Sequence, residues 1–101
     1  MIEIKIIAEF RVKADQTEAF KELLGSALVD TRSFKGCRRV DIYEDSEKPV
    51  FYALSDWDSH YDYDKYLAWR TEQGIGDLLG PILDGGFPDG FTFRKVVKTG
   101  L

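Results

Sequence analysis

Residues Phe51 to Arg70, FYALSDWDSHYDYDKYLAWR, read as a strand, a tight corner and a helix. From Phe51 to Trp57 aromatic and apolar residues alternate with smaller ones, and both faces carry apolar groups, the pattern of a strand covered on two sides. Asp58-Ser59 breaks the run. Ser59 suits a helix N-cap, and Asp62 three residues on sets an acid against the positive end of the helix dipole. A helix starting there carries His60, Tyr63, Leu67 and Arg70/Thr71 along one broad face, with Tyr66 on its flank. A tryptophan that ends a strand thus meets phenols, one histidine and one arginine from the next helix. This is the most site-like constellation in the chain.

Upstream, Cys37 to Glu44 alternates as a strand, with Val40 and Ile42 on one face and Cys37, Arg39, Asp41 and Tyr43 on the other. The polar turn DSEKP (45–49) joins it to the strand beginning at Val50, which makes a hairpin. Further back, Ile2, Ile4, Ile6, Ala8, Phe10 and Val12 share one face of a long first strand. Glu3, Lys5, Glu9 and Arg11 share the other, with Ile7 the exception. Asp15 followed by Glu18 predicts a helix cap, and Phe20, Leu23, Leu24, Ala27, Leu28 and Thr31 then recur at helical spacing. Gly25 inside that helix points to a close helix-on-sheet contact, and Lys35-Gly36 to a left-handed end.

Downstream, Gly74-Ile75-Gly76 interrupts the helix, and Asp77 to Leu83 reads as a short resumption despite Pro81. DGGFPDG (84–90) is a loop, and Phe91 to Lys98 a fourth strand. The order βαββαβ predicts an α+β fold: a ferredoxin-like sandwich of one four-stranded antiparallel sheet with two helices on one face, forming a single domain over residues 1–101. Two helices cover only one side of a doubly apolar third strand, so a second copy of the chain is expected on the other. Phe91, Phe93 or Val97 is expected to contribute to that buried face.

Composition narrows the function. Hydrophobic residues at 44% and charged residues at 32% exclude a disordered chain, and no apolar run approaches the ~18 residues of a membrane span. The opening MIEIKIIAEF alternates charge with isoleucine and reads as a strand rather than a signal peptide. A net charge of −4 weighs against nucleic acid as a partner. One cysteine leaves no internal disulfide and no Cys-based metal site, one histidine no His-based metal site unless a partner subunit or carboxylates complete it, and a cytoplasmic location follows by default. SDWDSHYDYD lacks the central glycine and terminal glutamate of a calcium loop, and the Gly-Gly of DGGFPDG has no phosphate-loop context.

Gly36-Cys37, Tyr43-Glu44-Asp45, Pro49-Val50-Phe51 and Asp56-Trp57-Asp58-Ser59 together resemble the antibiotic biosynthesis monooxygenase family of the dimeric α+β barrel superfamily, and the order of elements agrees from Ile4 to Val97. The resemblance implies a protomer whose sheet pairs with a partner's sheet in an α+β barrel, with a pocket between sheet and helices. It implies oxygenation of a polycyclic phenol or anthrone to a quinone without metal, haem or flavin; other members degrade haem, oxidise quinols or have no demonstrated activity. Trp57 matches the tryptophan ending the third strand in the polyketide-oxygenating members, and Tyr63 their helix tyrosine. Ala53 stands where they have an asparagine, and Tyr66 where many quinol-oxidising relatives have a histidine. Phe10 stands where haem degraders have an asparagine, which disfavours that chemistry.

The candidates are therefore Tyr63, His60 and Arg70 as catalytic groups, and Trp57, Tyr66, Phe10 and Leu67 as substrate-binding ones. Each has a plainer reading. Trp57 serves a core wherever a strand meets a helix. A phenol on an inward face, as at Tyr63 or Tyr66, must hydrogen-bond something, whether ligand, backbone or water. His60 in a first helical turn suits solvent or a cap as well as proton transfer, and Arg70 can reach solvent or pair with Asp56. Cys37 reads as an apolar filler. Two functions stay open: a small cofactor-independent monooxygenase acting on a phenol, quinol or anthrone, or a non-catalytic dimeric barrel binding a small aromatic molecule.

Overall fold

The computed structural model of the chain describes residues 3–101, so Ile2 lies outside the described residues. The elements are β1 (Ile4–Arg11), α1 (Thr17–Ser33), β2 (Cys37–Glu44), β3 (Val50–Trp57), α2 (His60–Glu72), α3 (Ile75–Leu79) and β4 (Phe91–Val97). The strands form one antiparallel sheet in the order β2-β3-β1-β4, and the helices pack on one face, which is the ferredoxin-like sandwich expected.

Register settles which side chains face the helices. Phe10 pairs with Phe51, Ala8 with Ala53 and Ile6 with Ser55, so the even residues of β1 and the odd residues of β3 share the covered face. Lys5, Ile7, Glu9 and Arg11, with Val50, Tyr52, Leu54 and Asp56, fall on the open face. On β4 the pairs Phe91–Phe10 and Phe93–Ala8 put both phenylalanines on the helix side, not on the open face expected for them. Val97, opposite Ile4, has the same parity; Val96, opposite Lys5, takes the open side. A β-bulge between Cys37 and Arg39 likewise brings Cys37 opposite Trp57 and into contact with the cluster around that ring, whereas strict alternation puts it with Asp41 and Tyr43.

Beneath the helices the core is in two pieces. Val12, Phe20, Phe51, Leu79 and Leu83 close one end; Ile6, Trp57 and Tyr63 close the other. Between them the two central strands carry only the small Ala8 and Ala53.

Three local expectations are corrected. Asp15 and Glu18 make no side-chain cap at α1: a 3-10 turn over Ala14–Gln16 leads into the helix, and Gln16 N–H bonds the Lys13 carbonyl at 2.8 Å. Gly25 is exposed, with nothing within 4 Å of where a Cβ would stand, so it marks no close approach to the sheet. The short helix spans Ile75–Leu79 and stops ahead of Pro81, which lacks the N–H needed to continue it.

Candidate functional site

The corner between β3 and α2 is built as its sequence suggests. Ser59 Oγ accepts from Asp62 N–H at 3.1 Å and donates to Asp62 Oδ2 at 3.0 Å. Gly36, at φ +92°, lets the start of β2 pass against Asp62, and its carbonyl accepts from Asp58 N–H at 2.8 Å. This corner fixes the direction of α2 and so the face carrying its tyrosines.

That face looks across Ala8 and Ala53 onto a cavity of about 100 Å³ between sheet and helices. Ala27 of α1 adds a third small side chain to the wall. With alanines on both walls the helices span a gap that larger residues would fill. Phe10, Trp57, Tyr63, Tyr66, Leu67 and Arg70, all candidates from the sequence, line it; His60 does not. The His60 ring instead lies at the start of α2, Nε2 3.4 Å from the Val96 carbonyl.

One end of the cavity is aromatic. Trp57, 2% exposed, meets Tyr63 edge-on at 5.5 Å and Tyr66 at 5.3 Å. Its indole N–H donates to Ser55 Oγ at 2.9 Å, so that donor is already used within the strand. Tyr63 is buried, and among the described residues no hydrogen bond to its hydroxyl is formed. None of those residues leaves a sealed polar side-chain atom without a partner, so the hydroxyl keeps room beside it. Burial, reinforced by Tyr66 and Asp64, pushes the Tyr63 phenol well above the usual tyrosine range. At neutral pH it is a hydrogen-bond donor and no base.

Beside it stands a polar knot. Arg70 Nε donates to Tyr66 Oη at 2.9 Å, and Nη2 donates to the Ala27 carbonyl at 2.7 Å and to Thr31 Oγ1 at 2.9 Å. Thr31 Oγ1 and Tyr66 Oη are 2.7 Å apart. The guanidinium also lies over Trp69 at 4.7 Å. Arg70 makes no ion pair among the described residues; Asp56, the carboxylate named above as one possible partner, is held by Lys5 at 2.8 Å. The cavity wall thus carries a positive charge hydrogen-bonded only to neutral oxygens.

Thr31 and Ser55 also line the cavity and are absent from the sequence-derived candidates. Both are hydroxyls on faces otherwise apolar, and a buried hydroxyl needs a partner; that signal is present in the sequence. Among the described residues no three His, Cys, Asp or Glu side chains gather as metal ligands.

Solved structures share the whole architecture. A conserved protein from Methanosarcina mazei Go1 superposes with a TM-score of 0.78 at 23% identity, over 95% of this chain and 92% of that one. The Pseudomonas aeruginosa protein PA3566 gives 0.75 at 15% identity, over 99% and 97%. A protein described as an antibiotic biosynthesis monooxygenase gives 0.74 at 17% identity, over 97% and 98%. At these identities the likeness speaks to the fold. No curated protein matches the chain. The family profile of antibiotic biosynthesis monooxygenase matches residues 3–73, which take in β1, α1, the hairpin and α2 with every side chain of the polar knot, and the chain belongs to that family.

Proposed function

We propose that the chain is a small cofactor-independent monooxygenase whose substrate is a single-ring phenol or quinol. The observation that carries this reading is the cavity itself: apolar walls, the Arg70 charge and the Tyr63 hydroxyl together around about 100 Å³. A closed cavity of ~150 Å³ accommodates benzene, so this smaller one, open at one end, is on the scale of a single ring, and a fused three-ring anthrone exceeds it. Oxygenation of a phenol to a quinone balances without a reductant. One atom of O₂ enters the ring, the other leaves as water, and the substrate supplies all four electrons. The slow step is reaction of the closed-shell ring with triplet oxygen, which needs an electron-rich phenolate. Arg70 supports that anion electrostatically, and Tyr63 donates a hydrogen bond to its oxygen. Since Tyr63 holds its own proton, the substrate's proton passes to water at the open end of the cavity, or the phenolate is bound directly.

A second reading, an aromatic-binding barrel without turnover, is favoured by one fact: the Trp57 indole N–H and the Nε and Nη2 donors of Arg70 are already spent on Ser55, Tyr66, Thr31 and Ala27. Oxygen uptake with a panel of phenols and quinols separates the two. Uptake above buffer supports the monooxygenase; binding seen by tryptophan fluorescence with no uptake selects the binding protein. Ala53→Ile fills the cavity from the sheet, and retention of ligand by that variant would place the site elsewhere.

A further inference from the structure

A second hollow, a surface cleft of about 380 Å³, lies between the end of α2, the loop before β4 and β4 itself. It shares three wall residues with the inner cavity: Leu67, Phe87 and Phe91. Two of these are fixed by regular structure, Leu67 in α2 and Phe91 in β4, where its ring packs on Phe10 at 5.0 Å. Phe87 alone sits in a loop. That loop is tied to β1 at both ends, by Asp84 N–H to the Arg11 carbonyl at 2.8 Å and Arg11 N–H to the Gly90 carbonyl at 2.9 Å. Beside the Phe87 ring stands Gly76, where a Cβ would come within 3.2 Å of it, so the ring occupies room that only a glycine leaves. Phe87 also lies outside residues 3–73, and the family match says nothing of it.

We propose that Phe87 is the partition between the two hollows and determines how many rings the pocket accepts. With the ring in place the inner cavity holds one ring; with it turned aside or shortened, cavity and cleft become one slot open to fused-ring ligands. The loop's pinned ends leave rotation of the side chain as the movement that does this. The outer cleft carries Thr71 and Arg94, which suit a hydroxylated or anionic distal ring.

The proposal rests on the reading of the cavity as an aromatic site, and the test separates the two. Phenol and 1-naphthol are titrated against ¹⁵N-labelled protein while the Trp57 indole N–H resonance is followed, in the wild type, Phe87→Ala and Phe87→Leu. Opening the partition should tighten 1-naphthol roughly tenfold in Phe87→Ala while phenol changes far less, with Phe87→Leu in between. Phe87→Leu keeps apolar bulk on Gly76 and serves if the alanine variant does not fold. Phenol binding in all three proteins with an unchanged preference for 1-naphthol overturns the role of Phe87 alone. Neither probe shifting Trp57 in any of them overturns the aromatic site as well.

Discussion

Tyr63 is set apart from its neighbour Tyr66 by what it lacks. Tyr66 is held by Arg70 and Thr31, whereas the Tyr63 hydroxyl has room beside it and no bond among the described residues. Tyr63→Phe should therefore leave folding stability at neutral pH within about 0.5 kcal/mol of the wild type. If Tyr63 serves the reaction, the variant lowers kcat tenfold or so with ligand affinity little changed, because the lost bond strengthens only as the phenolate develops. Its raised pKa also fixes an alkaline signature. The folded state keeps the phenolic proton that the unfolded chain releases near pH 10, so stability is fully present below that value and falls as pH rises beyond it. Urea unfolding between pH 9 and 11.5 should show this decline in the wild type and a shallower one in Tyr63→Phe. Arg70 predicts the opposite pattern. Arg70→Met removes three hydrogen bonds, leaves Tyr66 and Thr31 bonded only to each other and to the Ala27 carbonyl, and should cost about 1–3 kcal/mol in the same measurement.

At the scale of elements, the turn from β3 into α2 bears the most weight. Gly36 combines a positive φ with an approach in which an added Cβ would meet Asp62 at 2.5 Å. Gly36→Ala should thus cost on the order of 2 kcal/mol or more, against about 1 kcal/mol for Ser59→Ala, which loses only the cap. Equal midpoints of thermal unfolding for the two variants would refute that ranking. Ser59 and Asp62 were legible in the sequence because a cap is a local event, decided by residues three apart. The start of α1 was not, since Asp15 and Glu18 offer the same spacing while the backbone takes a 3-10 turn first. The bulge in β2 was equally hidden: it adds one residue against a partner strand, and nothing in CRRVDIYE marks it. Among the residues that line the cavity, Trp57, Tyr63, Tyr66, Leu67 and Arg70 were legible as a strand end followed by one helical face. Thr31 and Phe87 come from α1 and the last loop, and only the packing of distant segments brings them to the same walls.

The sheet as a whole presents Ile7, Val50, Tyr52, Leu54 and Val96 on its open side, among charges already paired as Lys5–Asp56, Arg11–Glu9 and Arg39–Asp41. Apolar residues interleaved with neutralised charge suit association with a like surface, and we expect a dimer mass by light scattering at micromolar concentration; Leu54→Lys, at the centre of that face, should shift it to the monomer. The antiparallel sheet with its helices on one face was legible because the order βαββαβ admits few topologies. The phase of β4 was not: FTFRKVV carries apolar groups on both faces, and only its pairing with β1 decides between them. The gap above Ala8 and Ala53 has a further consequence, in volume rather than energy. An apolar void of this size is lost when the chain unfolds, so the unfolded form occupies less volume, by some tens of mL per mole in order of magnitude, and hydrostatic pressure should favour it. A bound ring occupies that void in the native state and should raise the midpoint pressure, and Ala53→Ile should raise it without any ligand.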